Sequence, residues 1–108
     1  MSKKVIEPIS VITNGSMGAS LTSSASTVKF MDNVSYQAVF TGSPVGSFDV
    51  QVSNDGTNWA ALGLNISTAN GSPQFVDVNQ TGAAMIRFIY TRTSGTGTLN
   101  VIMMSKEI

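Results

Sequence analysis

The chain has 108 residues, six basic and six acidic side chains, and neither cysteine nor histidine. This length fits one domain, and the two missing residue types exclude disulfides, zinc sites built from thiolate and imidazole, and catalysis by Ser-His-Asp or Cys-His groups. Only 11% of the residues are charged while 42% are hydrophobic. The composition therefore predicts a folded core and gives no long-range attraction for nucleic acid or anionic lipid.

The first eight residues are expected to form an extended arm that ends at Pro8, followed by a single domain over residues 9–108. Lys3 and Lys4 are not followed by an apolar stretch, so we expect no signal peptide and synthesis in a cytoplasm. No apolar run approaches the ~20 residues that a membrane-spanning helix needs, so we expect no membrane partner.

The sequence behind the arm reads as short strands separated by turn residues. The first candidate strand is residues 9–13, ended by the turn signal Asn14-Gly15. In chain order, the others are residues 17–21, 28–31, 34–41, 47–53, 58–62, 74–78, 84–92 and 98–104. Residues 21–27 are rich in serine and threonine and indicate a loop or a solvated strand edge. The polar segment 63–72, with Asn70-Gly71, is expected to be a connection.

The middle of the chain gives the clearest pattern. From Phe48 to Val52 apolar and polar residues alternate, which places Phe48, Val50 and Val52 on one face of a strand. Asp55-Gly56 is a strong turn signal, because glycine accepts the positive φ that tight turns require. Trp59 follows the turn. This segment predicts a β-hairpin.

The last two candidate strands carry apolar residues on both faces, which favours strands that are covered on both sides. One cover would be a facing sheet; the other could be a loop, a subunit or a shell. About eight short antiparallel strands at regular spacing predict an all-β sandwich. The sequence leaves open whether its connectivity is that of a jelly roll or of an immunoglobulin-like fold.

No catalytic or metal-binding arrangement emerges from the chain. Asp55 is the only carboxylate in the oxygen-rich loop that follows Ser53, whereas Ca²⁺ prefers six to eight oxygens with several carboxylates. We therefore interpret this loop as a turn whose side chains bond its own backbone. The remaining carboxylates are scattered along the chain. We expect no enzyme, no metal and no cofactor.

The aromatic residues Trp59, Tyr36 and Tyr90 allow two interpretations. They fit a hydrophobic core, because aromatic side chains dominate the buried area of small domains. They also fit a sugar-stacking platform. The alternative glycan site would consist of Asn54, Asp55, Asn58 and Trp59.

The surface composition favours contact with other proteins. Low charge removes repulsion between copies, and the cores of interfaces are depleted in charge. Methionines near the carboxyl end offer adaptable apolar contacts. The candidate interface residues lie in the arm and the last strand: Lys3, Lys4, Val5, Ile6, Pro8, Ile102 and Met104.

The segment 34–62 resembles a pattern found in small β-sandwich structural proteins of tailed bacteriophages, including capsid decoration (cement) proteins. At its centre is the hairpin Phe48-Asp49-Val50-Gln51-Val52-Ser53-Asn54-Asp55-Gly56-Thr57-Asn58-Trp59. The resemblance implies a non-enzymatic virion protein that binds and stabilises the assembled phage head. It implies the major capsid protein or another virion protein as partner, a homo-oligomer, and location in the virion. A tail or baseplate component, or a carbohydrate-binding or host-recognition module, is the alternative.

Overall fold

The computed structural model describes residues 5–28, 33–79 and 82–106, with residues 5–7 described by their backbone alone. Nearly all regular structure in these ranges is β-strand, and the exception is a single 3₁₀ turn at Thr68–Asn70. The strands are β1 (Val5–Ser16), β2 (Leu21–Thr22), β3 (Ser26–Thr27), β4 (Asn33–Gly42), β5 (Val45–Ser53), β6 (Ala60–Ala61), β7 (Ile66–Ser67), β8 (Gln74–Asn79), β9 (Met85–Ser94) and β10 (Gly97–Lys106).

The strands form two antiparallel sheets that pack face to face, which confirms the predicted all-β sandwich. One sheet has the order β1-β10-β4-β8, and the other has the order β2-β9-β5-β6 with β3 also on β9 and β7 also on β5. If β2 with β3 and β6 with β7 are each counted as one interrupted strand, the eight strands divide equally between two sheets, with the first next to the eighth in one and the second next to the seventh in the other. This connectivity is that of a jelly roll, the first of the two options that the sequence left open.

The core lies between the two sheets and is made by the period-two alternation of the long strands. On β4 the side chains of Val34, Tyr36 and Ala38 are buried, while Gln37 and Val39 point outward. Because successive side chains of a strand point to opposite faces, one alternating run supplies both a core face and an outer face. Strand β10 follows the same pattern, with Leu99, Val101 and Met103 inside.

An aromatic cluster joins the two sheets. The ring of Tyr36 on β4 lies 5.3 Å from the ring of Phe88 on β9, and Phe88 lies 5.3 Å from Phe48 on β5. Tyr90 and Phe40 extend the cluster at 5.6 and 5.7 Å from Phe48. Tilted rings at these separations add attraction to the burial of their area. The interpretation of Tyr36 and Tyr90 as core residues is confirmed, since both are 0% exposed.

The first strand is longer than the sequence indicated. Asn14-Gly15, expected to end it, lies inside β1, where Asn14 has a φ of 51° and the pairing with β10 shifts between Ile12 and Gly15. The backbone N–H of Asn14 donates to Asn100 Oδ1 at 2.8 Å. A turn signal inside an edge strand has thus produced a bulge, because only one side of the strand must keep its ladder.

Two other short segments differ from expectation, and a third cannot be compared. Residues 17–20 form a turn instead of a strand, and the expected strand at 28–31 lies mostly outside the described residues. The segment 63–72, expected to be a connection, contains β7 and the 3₁₀ turn. Strands of two residues are too short to show periodicity, so β7 is recognised only by its pairing with β5.

Candidate interaction face

The outer face of the sheet β1-β10-β4-β8, called the four-stranded sheet from here on, carries three large hydrophobic side chains in contact with solvent. Phe75 on β8 is 67% exposed, Val39 on β4 is 41% exposed and Ile102 on β10 is 39% exposed. In the ladder Gln37 pairs with Ile102 on one side and with Phe75 on the other, and Val39 follows Gln37 on the same face. We call Val39, Phe75 and Ile102 the apolar face.

The apolar face follows from the way the core is built. Val76 on β8 and Val101 and Met103 on β10 must point inward, so their neighbours Phe75 and Ile102 must point outward. A polar residue at these positions would leave the core unchanged. Grouped hydrophobic residues in a solvent-facing position mark interaction surfaces more often than isolated ones do.

Next to the apolar face, the same sheet carries polar and charged residues. Met104, Ser35 and Asp77 form the adjacent row, and Lys106 pairs with Asn33 in the row beyond. A shallow cavity of about 220 Å³ lies here, and its lining includes Phe75, Asp77, Met104 and Lys106. Within the described part of the chain, neither Asp77 nor Lys106 forms an ion pair, and both side chains are exposed.

The outer face of the opposite sheet carries polar side chains that bond one another, and beside them lie Leu62, 41% exposed, and Leu64, 42% exposed. Arg87 Nε donates to Gln51 Oε1 at 2.8 Å across β9 and β5. Asp49 Oδ1 accepts from the backbone N–H of Leu64 at 3.1 Å, which fastens segment 62–65 to this side of the molecule. The opposite sheet thus combines bonded polar groups with exposed leucines, whereas Phe75 on the four-stranded sheet is the most exposed large hydrophobic residue of the described chain.

The predicted hairpin forms, with Val52 paired to Ala60 and Gln51 paired to Ala61. In its loop, Asp55 Oδ1 accepts from the backbone N–H groups of Thr57 at 2.9 Å and Asn58 at 2.8 Å, and from the Ser53 hydroxyl at 2.9 Å. Asn58 Nδ2 donates to Asp55 Oδ2 at 2.8 Å. These bonds, led by those from Asn58, hold the pKa of Asp55 well below its usual range.

The Asp55 loop is thus a turn closed on itself, as the sequence predicted, with Gly56 at a φ of 76°. Ser53, which the sequence did not single out, accepts from the backbone N–H groups of Asp55 and Gly56 at 3.2 and 2.9 Å. Serine and aspartate two residues apart before a glycine would have been the signal for this role. In the described ranges, no group of three acidic side chains could hold a metal ion.

The four residues of the alternative glycan site lie close together, but most of their polar groups are already bonded. Asn54 Oδ1 accepts from the backbone N–H of Ala84 at 2.8 Å, and Asn58 Nδ2 is bound to Asp55. Trp59 is half-buried, and the Arg87 guanidinium lies 4.1 Å from its ring centroid. One ring face is therefore covered by a cation–π contact. Tyr36 and Tyr90 are inside the core and do not extend a platform.

The predicted interface residues fall into two groups. Ile102 belongs to the apolar face and half-buried Met104 lies in the adjacent row. Val5 and Ile6, in the expected arm, pair by their backbone with Lys106 and Ser105 on β10. Pro8, also within β1, is exposed.

Lys3 and Lys4 lie outside the described residues. Phe75 and Val39 were not singled out from the sequence, although the alternation of residues 74–78 already places Phe75 opposite to Val76. Knowing that Phe75 is exposed required the position of β8 in the sheet.

Comparisons with known proteins support the fold. No family model matches the chain, and no curated protein matches it. The crystal structure of the SPBc2 prophage-derived protein YomS superposes with a TM-score of 0.64 at 10% identity, over 97% of this chain and 96% of that one. The structure of the infectious bursal disease virus Gx strain gives a TM-score of 0.59 at 7% identity, over 97% of this chain and 32% of the viral one.

A third structure, CpGH89CBM32-6 produced by Clostridium perfringens, has a TM-score of 0.39 at 12% identity, which is too low to indicate a common fold. The strand order defines the class of the chain as a jelly-roll sandwich. At these identities the first two comparisons show that its fold is shared with a prophage-derived protein and with a virus structure. In the described residues, no helix is long and apolar enough to cross a bilayer.

Proposed function

We propose that the chain is a non-enzymatic structural protein of a bacteriophage virion, and specifically a decoration protein that binds the assembled head through its apolar face. The observation that carries this proposal is the exposure of Phe75, at 67%, together with Val39 and Ile102 on one regular sheet. The fold likeness to a prophage-derived protein and to a virus structure supports a virion role.

The contact would be driven by burial of apolar area. Covering the apolar face removes three large side chains from water, at roughly 25 cal/mol per Å² of apolar area. With six basic and six acidic residues, the chain has no net charge to oppose crowding of many copies on one shell. The adjacent Asp77 and Lys106 supply a polar rim, as is usual around an interface core.

Stabilisation of the head would follow from mass action. A ligand that binds the assembled shell and not its free subunits shifts the equilibrium toward the shell by its binding free energy. If each decoration unit contacts more than one capsomer, modest contacts combine through multivalency. The protein would then strengthen the head without any chemical step.

The test is co-sedimentation of the purified protein with phage heads emptied of DNA. We expect binding that saturates at a fixed ratio of protein to capsid subunit. Phe75→Ser and Ile102→Ser should each weaken binding at least about tenfold, since each removes about 1.5 kcal/mol or more of buried apolar contact. Leu64→Ser is the matched control, because Leu64 is 42% exposed near the opposite sheet.

Two results would contradict the proposal. Equal losses of head binding for Phe75→Ser and Leu64→Ser would show that the apolar face is not the contact surface. Absence of binding to any head, with binding to soluble polysaccharides instead, would favour the host-recognition alternative at Trp59.

A chain lacking residues 2–4 tests the predicted arm separately, because this deletion keeps Val5 and Ile6 paired with β10.

A further inference from the structure

The edges of the two sheets are protected to very different degrees. Among the described residues, the six-stranded sheet ends on the two-residue strands β2 and β3 at one side and β6 and β7 at the other. The edge strand β1 is long, but its pairing with β10 has three register shifts and it contains Pro8. Short strands, bulges and proline are devices that prevent edge-to-edge pairing.

Strand β8 has none of these devices. It pairs with β4 from Asn33↔Asn79 to Ala38↔Gln74 without a register shift. It contains neither proline nor lysine, and in the described part of the chain its other side has no strand beside it. A regular edge with an exposed phenylalanine is a template for another strand.

One antiparallel register lets β8 pair with a second copy of itself without opposing like charges. Residues that pair across two strands must lie on the same face of the sheet. A two-fold axis between two residues would pair neighbours in sequence, which point to opposite faces, so the axis must pass through a residue. Axes at Val76 and at Asp77 give the longest overlaps, over residues 74–78 and 75–79. The Asp77 axis sets two carboxylates directly opposite each other, which is destabilising.

With the axis at Val76, each Phe75 lies opposite the Asp77 of the second copy. The two Val76 residues lie opposite each other on the core side of the sheet. We propose that the β8 edge is the seam of a two-fold dimer of this chain in this register. The dimer joins two four-stranded sheets into one continuous sheet. It also brings the two apolar faces side by side on a single surface.

A second copy is the occupant that these observations favour. A two-fold contact uses the same edge of both molecules, and the remaining edge, β1, is the protected one, so association stops at the dimer. The formal net charge of zero gives no repulsion between copies. Because β8 has only six residues, the contact is small, and we expect a reversible dimer whose population depends on concentration.

The test uses the free protein without heads, so its outcome is independent of the proposed function. Sedimentation velocity over a range of concentrations should show a monomer–dimer equilibrium. The charge variants Phe75→Lys and Phe75→Asp form a matched pair, because both remove the same exposed ring. Lysine at this position would meet Asp77 of the second copy, whereas aspartate would repel it, and each contact occurs twice per dimer.

We expect the dissociation constant of Phe75→Asp to be at least about tenfold higher than that of Phe75→Lys. The difference should shrink at high salt, which screens exposed charges. Equal thermal stability of the two variants at low concentration would verify that neither change disturbs the fold.

Cysteine cross-linking tests the register, since the natural chain has no cysteine. Under oxidation, a Phe75→Cys chain mixed with an Asp77→Cys chain should form a disulfide-linked dimer, and neither chain should do so alone. Cross-linking of Asp77→Cys with itself would overturn the Val76 axis. A chain that stays monomeric at all concentrations, or whose β8 pairs only with a strand of another protein, would overturn the dimer.

Discussion

The hydroxyl groups of Tyr36 and Tyr90 are buried polar atoms that lower the stability of this small core. Both residues are 0% exposed, and neither hydroxyl has a hydrogen-bond partner in the described part of the chain. Burial raises the pKa of both phenols, with nearby Arg92 acting in the opposite direction on Tyr90. A buried hydroxyl without a partner loses its bonds to water and gains none in return.

We expect Tyr36→Phe to leave the free energy of unfolding at pH 7 unchanged or to raise it by up to about 1 kcal/mol, because the ring stays and the unpaired hydroxyl goes. The unfolded phenol ionises near pH 10 whereas the folded one retains its proton. The stability of the wild type should therefore fall as the pH rises above about 10. The stability of the Tyr36→Phe variant should fall less steeply over the same pH range.

Urea denaturation of both proteins at pH 7 and at several values between pH 10 and 12 measures this difference. Trp59 fluorescence gives the signal, since the chain has one tryptophan. A loss of several kcal/mol in Tyr36→Phe at pH 7 would mean that the hydroxyl has a partner that stabilises the fold.

At the scale of a strand, Gly46 marks the position where β5 leaves its regular register with β9. The pairing shifts between Val45 and Gly46. A Cβ at Gly46 would collide with the carbonyl oxygen of Thr91 and lie 2.9 Å from the ring of Tyr90. The Gly46 N–H donates to Thr68 Oγ1 at 3.1 Å, and Thr68 Oγ1 donates to Pro44 O at 3.0 Å. The Thr68 hydroxyl thus bridges the backbone on both sides of the bulge.

We expect Gly46→Ala to destabilise the fold by about 1–3 kcal/mol, because backbone and not a flexible side chain must move to admit the methyl group. Gly18→Ala is the matched control, since a Cβ there would have only ordinary contacts at 3.5 and 3.8 Å. Thermal denaturation of the two variants measures the difference. Equal melting temperatures would show that β5 can shift without loss.

At the scale of the whole molecule, two phenylalanines have opposite roles. Phe88 is 0% exposed and contacts Tyr36 across the two sheets, whereas Phe75 is 67% exposed on the apolar face. The same chemical change at the two positions therefore separates what holds the fold together from what is available for binding.

We expect Phe88→Ala to lower the free energy of unfolding by about 3–5 kcal/mol, since it opens a cavity between the sheets. Phe75→Ala should change it by less than about 0.5 kcal/mol. Chemical denaturation at low protein concentration, where the chain is monomeric, is the measurement. A large loss for Phe75→Ala under these conditions would mean that the apolar face belongs to the fold of the single chain.

Local chemistry alone predicted much of this protein. The alternation in residues 48–52 placed Phe48, Val50 and Val52 on one face, of which Phe48 and Val50 are buried in the core, and Asp55-Gly56 predicted a closed turn. These features depend on neighbours within a few residues, so the local sequence determines them. The predicted roles of Ile102 and Met104 in an interface remain predictions, although both lie on or beside the apolar face.

Other features depend on which strands become neighbours, and only the tertiary structure decided them. The sequence left the sandwich connectivity open, gave no weight to Phe75, and indicated a strand end at Asn14-Gly15 where β1 continues through a bulge. Strand order follows from long-range pairing and packing, in which segments far apart in the chain compete for the same neighbour. The exposure of Phe75 and the open edge of β8 exist only because β4 is the strand that pairs with β8, and no local pattern encodes that choice.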